Sequence, residues 1–270
     1  MRQSQDTEGR ISMSKIKKVF EKGSAFIPFI TCGDPDLETT EKIVYEMEKS
    51  GADMIELGIP FSDPTAEGPV IMQADLRALL AGTTTEKVFE MVERIRKNTE
   101  IPLAFMTYAN VVFSYGTEKF IQRAASLGVD GLILPDVSFE ERHEFLDCCD
   151  RYDMDFISFV TPTSDERIEK IVKEARGFIY CVSSMGVTGT RSKITTDIKC
   201  LVERIKRVKE IPVAIGFGIS NTEQAKQMAE LSDGVIVGSA IVKFCEKYGK
   251  ESVQKIGEFV KDMKEAISKE

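Results

Sequence analysis

The chain has 270 residues, is 42% hydrophobic and 30% charged, and carries a formal net charge of −8, which is the profile of an ordinary globular protein long enough for one large barrel or two small domains. The acidic balance denies phosphate-rich polymers the basic footprint they need and argues against nucleic-acid binding. A small anionic substrate stays open, because backbone N–H groups bind phosphate without net positive charge.

Met1–Arg10 is polar and lacks the apolar core of a signal peptide. Residues 1–13 read as a disordered extension ahead of a single domain over 14–270, with Met13 as a second potential start. No apolar run reaches bilayer-spanning length. Short apolar runs then alternate with longer amphipathic stretches. Strands are expected at Phe26–Thr31, Met54–Leu57, Leu103–Thr107, Gly131–Leu134, Phe156–Val160, Phe178–Val182, Val213–Gly216 and Gly234–Val237. Each is apolar at nearly every position, as in parallel strands buried on both faces. Helical patterns fill the gaps. In Glu118–Leu127, Phe120, Ala124 and Leu127 share one face, and Gly128 follows as a stop. Ser138–Glu141, Thr163–Glu166 and Ser220–Glu223 match the capping-box pattern that opens a helix.

A weak repeat marks the joints between helix and strand. Gly51-Ala-Asp53, Gly128-Val-Asp130 and Leu231-Ser-Asp233 each lead into an apolar run, and Glu100-Ile-Pro102 and Glu210-Ile-Pro212 do so in a second style. Eight such units, all wound with the same hand, make a (β/α)8 TIM barrel of the usual size. An open doubly wound sheet is the alternative, and the chain has no G-x-G-x-x-G fingerprint to favour it. Barrel chemistry sits where strands end and βα loops begin.

The six cysteines, at 32, 148, 149, 181, 200 and 245, form no CxxC pair and read as reduced thiols of a cytoplasmic protein. The single histidine, His143, lies among charged helical neighbours and reads as a surface residue, which sets aside Ser-His-Asp hydrolysis and histidine-based metal sites. Four segments carry chemistry. Glu56 interrupts the apolar run Met54-Ile55-Glu56-Leu57. A carboxylate there is either paired in a structural ion pair or neutralised by a raised pKa, the state that suits a general acid/base. The loop after it, through Pro69, adds Asp63 and Glu67. Either it brings a second acid to the site or it is a solvated surface loop. Ser183 to Ser192 has the composition of a flexible βα lid. Gly216-Phe-Gly218 and Gly238-Ser239 follow the last two strands, where barrels bind phosphate, although ordinary tight turns have the same composition.

Taken together, Pro28-Phe29-Ile30-Thr31 with Gly33-Asp34-Pro35, the run Glu56–Pro69, Tyr108-Ala109-Asn110, Gly186-Val-Thr-Gly189, Gly216-Phe-Gly-Ile-Ser220 and Gly238-Ser-Ala-Ile-Val-Lys243 resemble the tryptophan synthase alpha family, with similarity from about Phe20 to Lys264. The resemblance implies a single-domain TIM barrel with an extra N-terminal helix. It also implies retro-aldol cleavage of indole-3-glycerol phosphate to indole and glyceraldehyde 3-phosphate, with no metal and no lysine imine. By position, Glu56 is the general acid/base. Glu67 stands where the family usually has Asp in an Ala-Asp-Gly-Pro run, so this carboxylate has an arm one methylene longer, and Met72 replaces a frequent Gln. Thr188 matches the loop residue that bonds the second acid. Gly189, Gly218, Gly238 and Ser239 match phosphate-binding positions. Tyr180 falls near the reacting side chain, and Phe29, Met106, Ile133 and Ile236 would line the indole pocket. Asp63, Pro64 and Asn110 would face a beta subunit in an alpha2beta2 heterotetramer. The chain itself would hold no cofactor; pyridoxal phosphate is expected in the beta partner alone. Two other readings share these residues: a catalytically weakened alpha-type subunit that mainly regulates its partner, and a stand-alone lyase releasing free indole.

Overall fold

The computed structural model describes residues 14–161, 167–182, 191–216 and 218–268. The expected extension over 1–13, the capping box at Thr163–Glu166, and Thr188 and Gly189 all lie outside these residues. In chain order the elements are α1 (Lys15–Val19), β1 (Ala25–Thr31), α2 (Leu37–Lys49), β2 (Ile55–Gly58), α3 (Pro69–Leu80), α4 (Thr85–Ile95), β3 (Leu103–Met106), α5 (Ala109–Tyr115), α6 (Thr117–Ser126), β4 (Gly131–Ile133), α7 (His143–Arg151), β5 (Asp155–Phe156), β6 (Ser158–Val160), α8 (Ile168–Glu174), β7 (Ile179–Val182), α9 (Arg191–Val208), β8 (Val213–Gly216), α10 (Thr222–Ala229), β9 (Gly234–Val237), α11 (Ser239–Tyr248) and α12 (Ser252–Ile267).

All strand pairs are parallel, in the order β5-β4-β3-β2-β1-β9-β8-β7-β6. The expected strand Phe156–Val160 is broken at Ile157, and its two halves pair with opposite neighbours: β5 with β4, β6 with β7. One chain run therefore joins the two ends of the sheet, and eight runs make the barrel. Side chains alternate across its wall. Phe26, Ile30, Ile55, Leu57, Phe105, Ile179 and Val235 face the helices. Ala25, Ile27, Ala104, Ile133, Tyr180, Ala214 and Ile236 fill the interior. Period-two alternation with both faces apolar is why the strands read as unbroken hydrophobic runs.

The expected N-terminal helix is α1. Ser14 caps it by accepting the Lys17 N–H at 3.3 Å and also hydrogen-bonds the Asp155 carboxylate. Ile16 is fully buried within the interior cluster, so α1 closes the N-terminal end of the barrel.

The repeated aspartates act at the same end. The Asp53 carboxylate accepts the Phe26 N–H at 2.7 Å, that of Asp130 accepts the Leu103 N–H at 3.0 Å, and that of Asp233 accepts the Val213 N–H at 2.8 Å. In each case the aspartate's own N–H donates back to the carbonyl of the same residue, at 2.8 to 3.0 Å. A cation backs each carboxylate: Lys264, Arg96 and Lys206. The Pro joints serve the same edge differently, with the Pro102 and Pro212 carbonyls accepting the first N–H of β2 and β7.

Other joints follow the sequence reading, with one correction. Gly128 ends α6 with φ +81°, and the Ser138 hydroxyl bonds Glu141 at 2.8 Å just before α7. The box expected at Ser220–Glu223 is shifted by one residue. Asn221 caps α10 by accepting the Gln224 N–H at 2.9 Å, while the Gln224 side chain accepts the Ser220 N–H. An Asn carbonyl reaches the third helical N–H as well as a serine hydroxyl does, so the cap settled one position later.

Candidate active site

The C-terminal ends of the strands open into a cavity of about 840 Å³. Its walls include Phe29, Glu56, Glu67, Met106, Tyr180, Gly218, Ile236, Gly238 and Ser239, nine of the positions singled out from the sequence. Ile133 differs: it is fully buried inside the barrel with Ala104, Tyr180 and Ile236 and is absent from the cavity wall. It is level with Met106 on β3, and its side chain packs behind the lining residues.

Glu56 sits on β2 between Ile55 and Leu57, which both face the helices, so alternation turns its side chain into the barrel. It is fully buried and level with Phe29 on β1 and Ala104 on β3. Neither carboxyl oxygen has a hydrogen-bond partner among the described residues. Burial alone pushes its pKa up to about 8. Among the described residues no ion pair holds Glu56, so the neutralised form is the one this environment supports near neutral pH. A cavity-lining acid half-ionised near pH 8 can both take and return a proton.

Glu67 is supplied by the loop between β2 and α3. It is half-buried, and burial raises its pKa, while a hydrogen bond from the Tyr108 hydroxyl pulls in the opposite direction. The same hydroxyl accepts the Ala66 N–H at 2.9 Å. Tyr108 is 3% exposed two residues past β3, its ring tilted against Phe61 with 5.2 Å between ring centroids, and so fixes the loop to the barrel rim. In sequence Tyr108 stands in the Tyr108-Ala109-Asn110 run with no signal of its role, because its burial beside a polar loop depends on the tertiary fold. Asp75 was missed too. It is 5% exposed on α3, with a pKa raised to about 7, chiefly by burial and then by the charge of Glu67.

Two glycines are required by geometry. A Cβ at Gly58 would lie 2.5 Å from the ring of Phe29, so β2 ends in glycine to let that ring lie across it. Gly218 has φ +78°, the left-handed region that costs L side chains strain, and so turns the chain after β8 toward the cavity. Gly238 and Ser239 open α11, whose first N–H groups point toward the cavity end where an anion is favoured. The arrangement thus offers an apolar slot, two carboxylates beside it, and a glycine-rich anion cradle.

Of the positions expected to face a partner, Asp63 and Asn110 are exposed and Pro64 is partly so. Asn110 lies with Phe61 on a separate shallow cleft between α4 and α5. His143 is exposed, its Nδ1 2.8 Å from the Glu140 carbonyl, and all six cysteines are free. Burial drives the Cys32 thiol well above the ordinary range, with the Asp75 charge adding to the shift.

A family model described as tryptophan synthase alpha chain matches residues 14–268. The tryptophan synthase alpha chain of Lacticaseibacillus casei is 50% identical over 255 residues, spanning 94% of this chain and 96% of that one. Among solved structures, tryptophan synthase subunit alpha from Campylobacter jejuni superposes with a TM-score of 0.85 at 37% identity, covering 93% of this chain and all of that one. Tryptophan synthase from M. tuberculosis, in an aminoacrylate- and BRD0059-bound form, has a chain that superposes with a TM-score of 0.85 at 31% identity, covering 96% of this chain and all of that one.

Proposed function

The chain belongs to the tryptophan synthase alpha chain family, and from that premise we propose how its cavity divides the work of cleaving indole-3-glycerol phosphate. The reaction is a lyase step of tryptophan biosynthesis and releases indole and glyceraldehyde 3-phosphate. The indole ring occupies the slot of Phe29, Met106, Tyr180 and Ile236, and the phosphate meets the glycine-rich ends of β8 and β9. Thr188 and Gly189 take the lid-side contacts that the family pattern implies.

Protonation at indole C3 turns the ring into an electron sink and leaves a positive charge shared with the ring nitrogen. Loss of the proton from the side-chain hydroxyl lets its oxygen form the aldehyde carbonyl. The carbon–carbon bond then breaks, and its electron pair returns to the ring. Glu56 is the group that takes the hydroxyl proton and exchanges it with the ring. Glu67 accepts the indole N–H and stabilises the positive charge as it develops, since a preorganised carboxylate is most effective against charge that appears only in the transition state. These side chains carry the steps by themselves. Pyridoxal phosphate belongs to a beta partner, in an alpha2beta2 assembly.

The observation that carries this reading is Glu56: a fully buried carboxyl on a cavity wall, without a partner among the described residues, with a second carboxylate and an anion cradle facing the same space. An apolar stripe supports the docking assignment. Met72, Leu76 and Leu80 project from successive turns of α3 and are 42%, 48% and 79% exposed, and Phe113 on α5 is 47% exposed. The first of these helices follows the loop of Asp63 and Pro64, and the second begins at Ala109 and carries Asn110 in its first turn. We assign the enzyme to the cytoplasm; no helix among the described residues is long and apolar enough to cross a membrane.

The test is indole release from indole-3-glycerol phosphate by the parent, Glu56→Gln and Glu67→Ala, with and without a beta subunit. Turnover by the parent that collapses in both variants is the expected result. A parent that binds substrate and never turns it over, even with the beta subunit, would overturn the catalytic reading.

A further inference from the structure

The cavity does not end at the barrel mouth. It continues as a trough along one face of α11, where Ser239, Ala240, Lys243 and Lys247 line it in succession. The spacing of three and four residues places these side chains on adjacent turns of one helical face. Lys243 and Lys247 are exposed, and among the described residues neither has a carboxylate within ion-pair distance. Lys247 leans over the Tyr248 ring, with its Nζ 5.0 Å from the centroid. Many other cations are committed elsewhere: Arg77 to Asp34, Lys250 to Asp36, Lys264 to Asp53.

The charge on the cavity wall is therefore divided. Glu56 and Glu67 are its only carboxylates among the described residues, on β2 and the loop after it, whereas both lysines stand on α11, directly after the anion cradle. A chain of net charge −8 repels an anion at long range, and a local cationic track is the physical means of reversing that repulsion at one entrance. Backbone N–H groups hold a phosphate in place but are too short-ranged to attract it from solvent.

Resting on the reading of the site as one for a phosphomonoester substrate, we infer that Lys243 and Lys247 form an entry track that captures the phosphate dianion and hands it to the N-terminus of α11. Lys243, one turn from Ser239, is a positioning residue for the bound phosphate. Lys247, one turn further out, acts on encounter. The track also sets the direction of entry: phosphate along α11, the neutral indole ring into the apolar slot, so that the reacting carbons arrive beside Glu56.

The experiment measures kcat and KM for indole-3-glycerol phosphate as a function of ionic strength, in the full chain, for the parent, Lys243→Gln, Lys247→Gln and the double variant. Lys243→Arg and Lys247→Arg test rescue by charge, and Lys173→Gln, whose native partner is Glu169 on α8, controls for net charge. The double variant is expected to lose about tenfold in kcat/KM at low salt, through KM, with kcat held within about twofold and a flatter salt dependence. The arginine variants retain parent behaviour. A parallel arm titrates inorganic phosphate by calorimetry and expects about tenfold weaker binding in the double variant. Parent-like KM, salt slope and phosphate affinity in the double variant would overturn the track while leaving the lyase assignment standing. A parent that binds phosphate through these lysines yet does not cleave the substrate would overturn the lyase assignment and leave the track. A loss reproduced by Lys173→Gln would reduce the effect to net charge and also overturn it.

Discussion

The Tyr108 hydroxyl ties the Glu67 carboxylate to the backbone of its own loop, donating to Oε2 of Glu67 while accepting the Ala66 N–H at 2.9 Å. One rigid ring just past β3 thus sets both the loop path and the direction of the acid. Tyr108→Phe keeps the ring and its contact with Phe61 but frees both partners. A displacement near 1 Å at a catalytic group costs up to about 100-fold, so we expect kcat to fall about 10-fold to 100-fold, with stability reduced by only about 1 kcal/mol. Steady-state indole release and urea unfolding on the same preparation separate the two effects; unaltered kcat would deny Tyr108 its role.

Glu67→Asp tests the longer arm directly. The resemblance to the family implies aspartate at this position, yet the Tyr108 contact here is made at glutamate length. The shorter side chain keeps the charge and loses the contact, and kcat is expected to drop about tenfold, against at least about 100-fold for Glu67→Ala. Equal losses in the two variants would mean that the charge alone contributes nothing.

The pH profile follows from Glu56. Removal of the hydroxyl proton needs the ionised form, and burial raises the pKa to about 8. Activity should therefore climb about tenfold per pH unit below that value and level off above it. Indole release assayed from about pH 6 to pH 9 reads this limb, and the limb should be missing from the residual activity of Glu56→Gln. A parent profile flat across the range would remove Glu56 as the titrating base.

Stability carries the same signature with a definite sign. The folded carboxyl titrates near 8, the unfolded one in the ordinary carboxyl range. Below that range both states are protonated and no penalty exists. Between the two values the unfolded state is ionised and the folded one is not, so stability falls by about 1.4 kcal/mol per pH unit as pH rises. Glu56→Gln escapes this and is expected to exceed the parent in stability near pH 8, the gap closing as pH falls toward about 4. Denaturant midpoints measured at several pH values decide it; a gap that does not change with pH would be inconsistent with a buried titrating carboxyl.

The aspartate clamps lie at the opposite end of the barrel. Asp53→Ala, Asp130→Ala and Asp233→Ala each leave a strand N–H and a cation without their carboxylate. Each is expected to cost about 2 kcal/mol of stability, since hydrogen bonds to a charged acceptor are the stronger kind, with kcat unchanged below the melting range. Thermal unfolding beside an activity assay checks both halves, and a clamp variant that lost kcat before it lost fold would contradict the separation of the two ends.

Much of the site was legible in sequence because its features are local. Glu56 stands out as one charge in an apolar run, and the glycines after β8 and β9 stand out by position in the strand count. The aspartate repeat was legible as punctuation, although its clamp geometry needs two neighbouring strands to be seen. Ile133 reads in sequence like any apolar residue of a barrel strand; its register with Met106 is visible only once β3 and β4 are paired. Tyr108, Asp75 and the lysines of α11 carried no local signal, since each depends on what a distant segment brings beside it.

The sequence by itself determined the period, order and hand of the units and the identity of the acid on β2, because alternation, helix stops and apolar runs act over a few residues. Only the tertiary structure decided that the Phe156–Val160 run splits at Ile157 to join the sheet's ends, that Glu56 has no partner among the described residues, and that Tyr108 holds Glu67. These are properties of distance and burial between segments dozens of residues apart, and the free energy of an unpaired carboxyl or a made hydrogen bond depends on that surrounding shell rather than on neighbours in the chain.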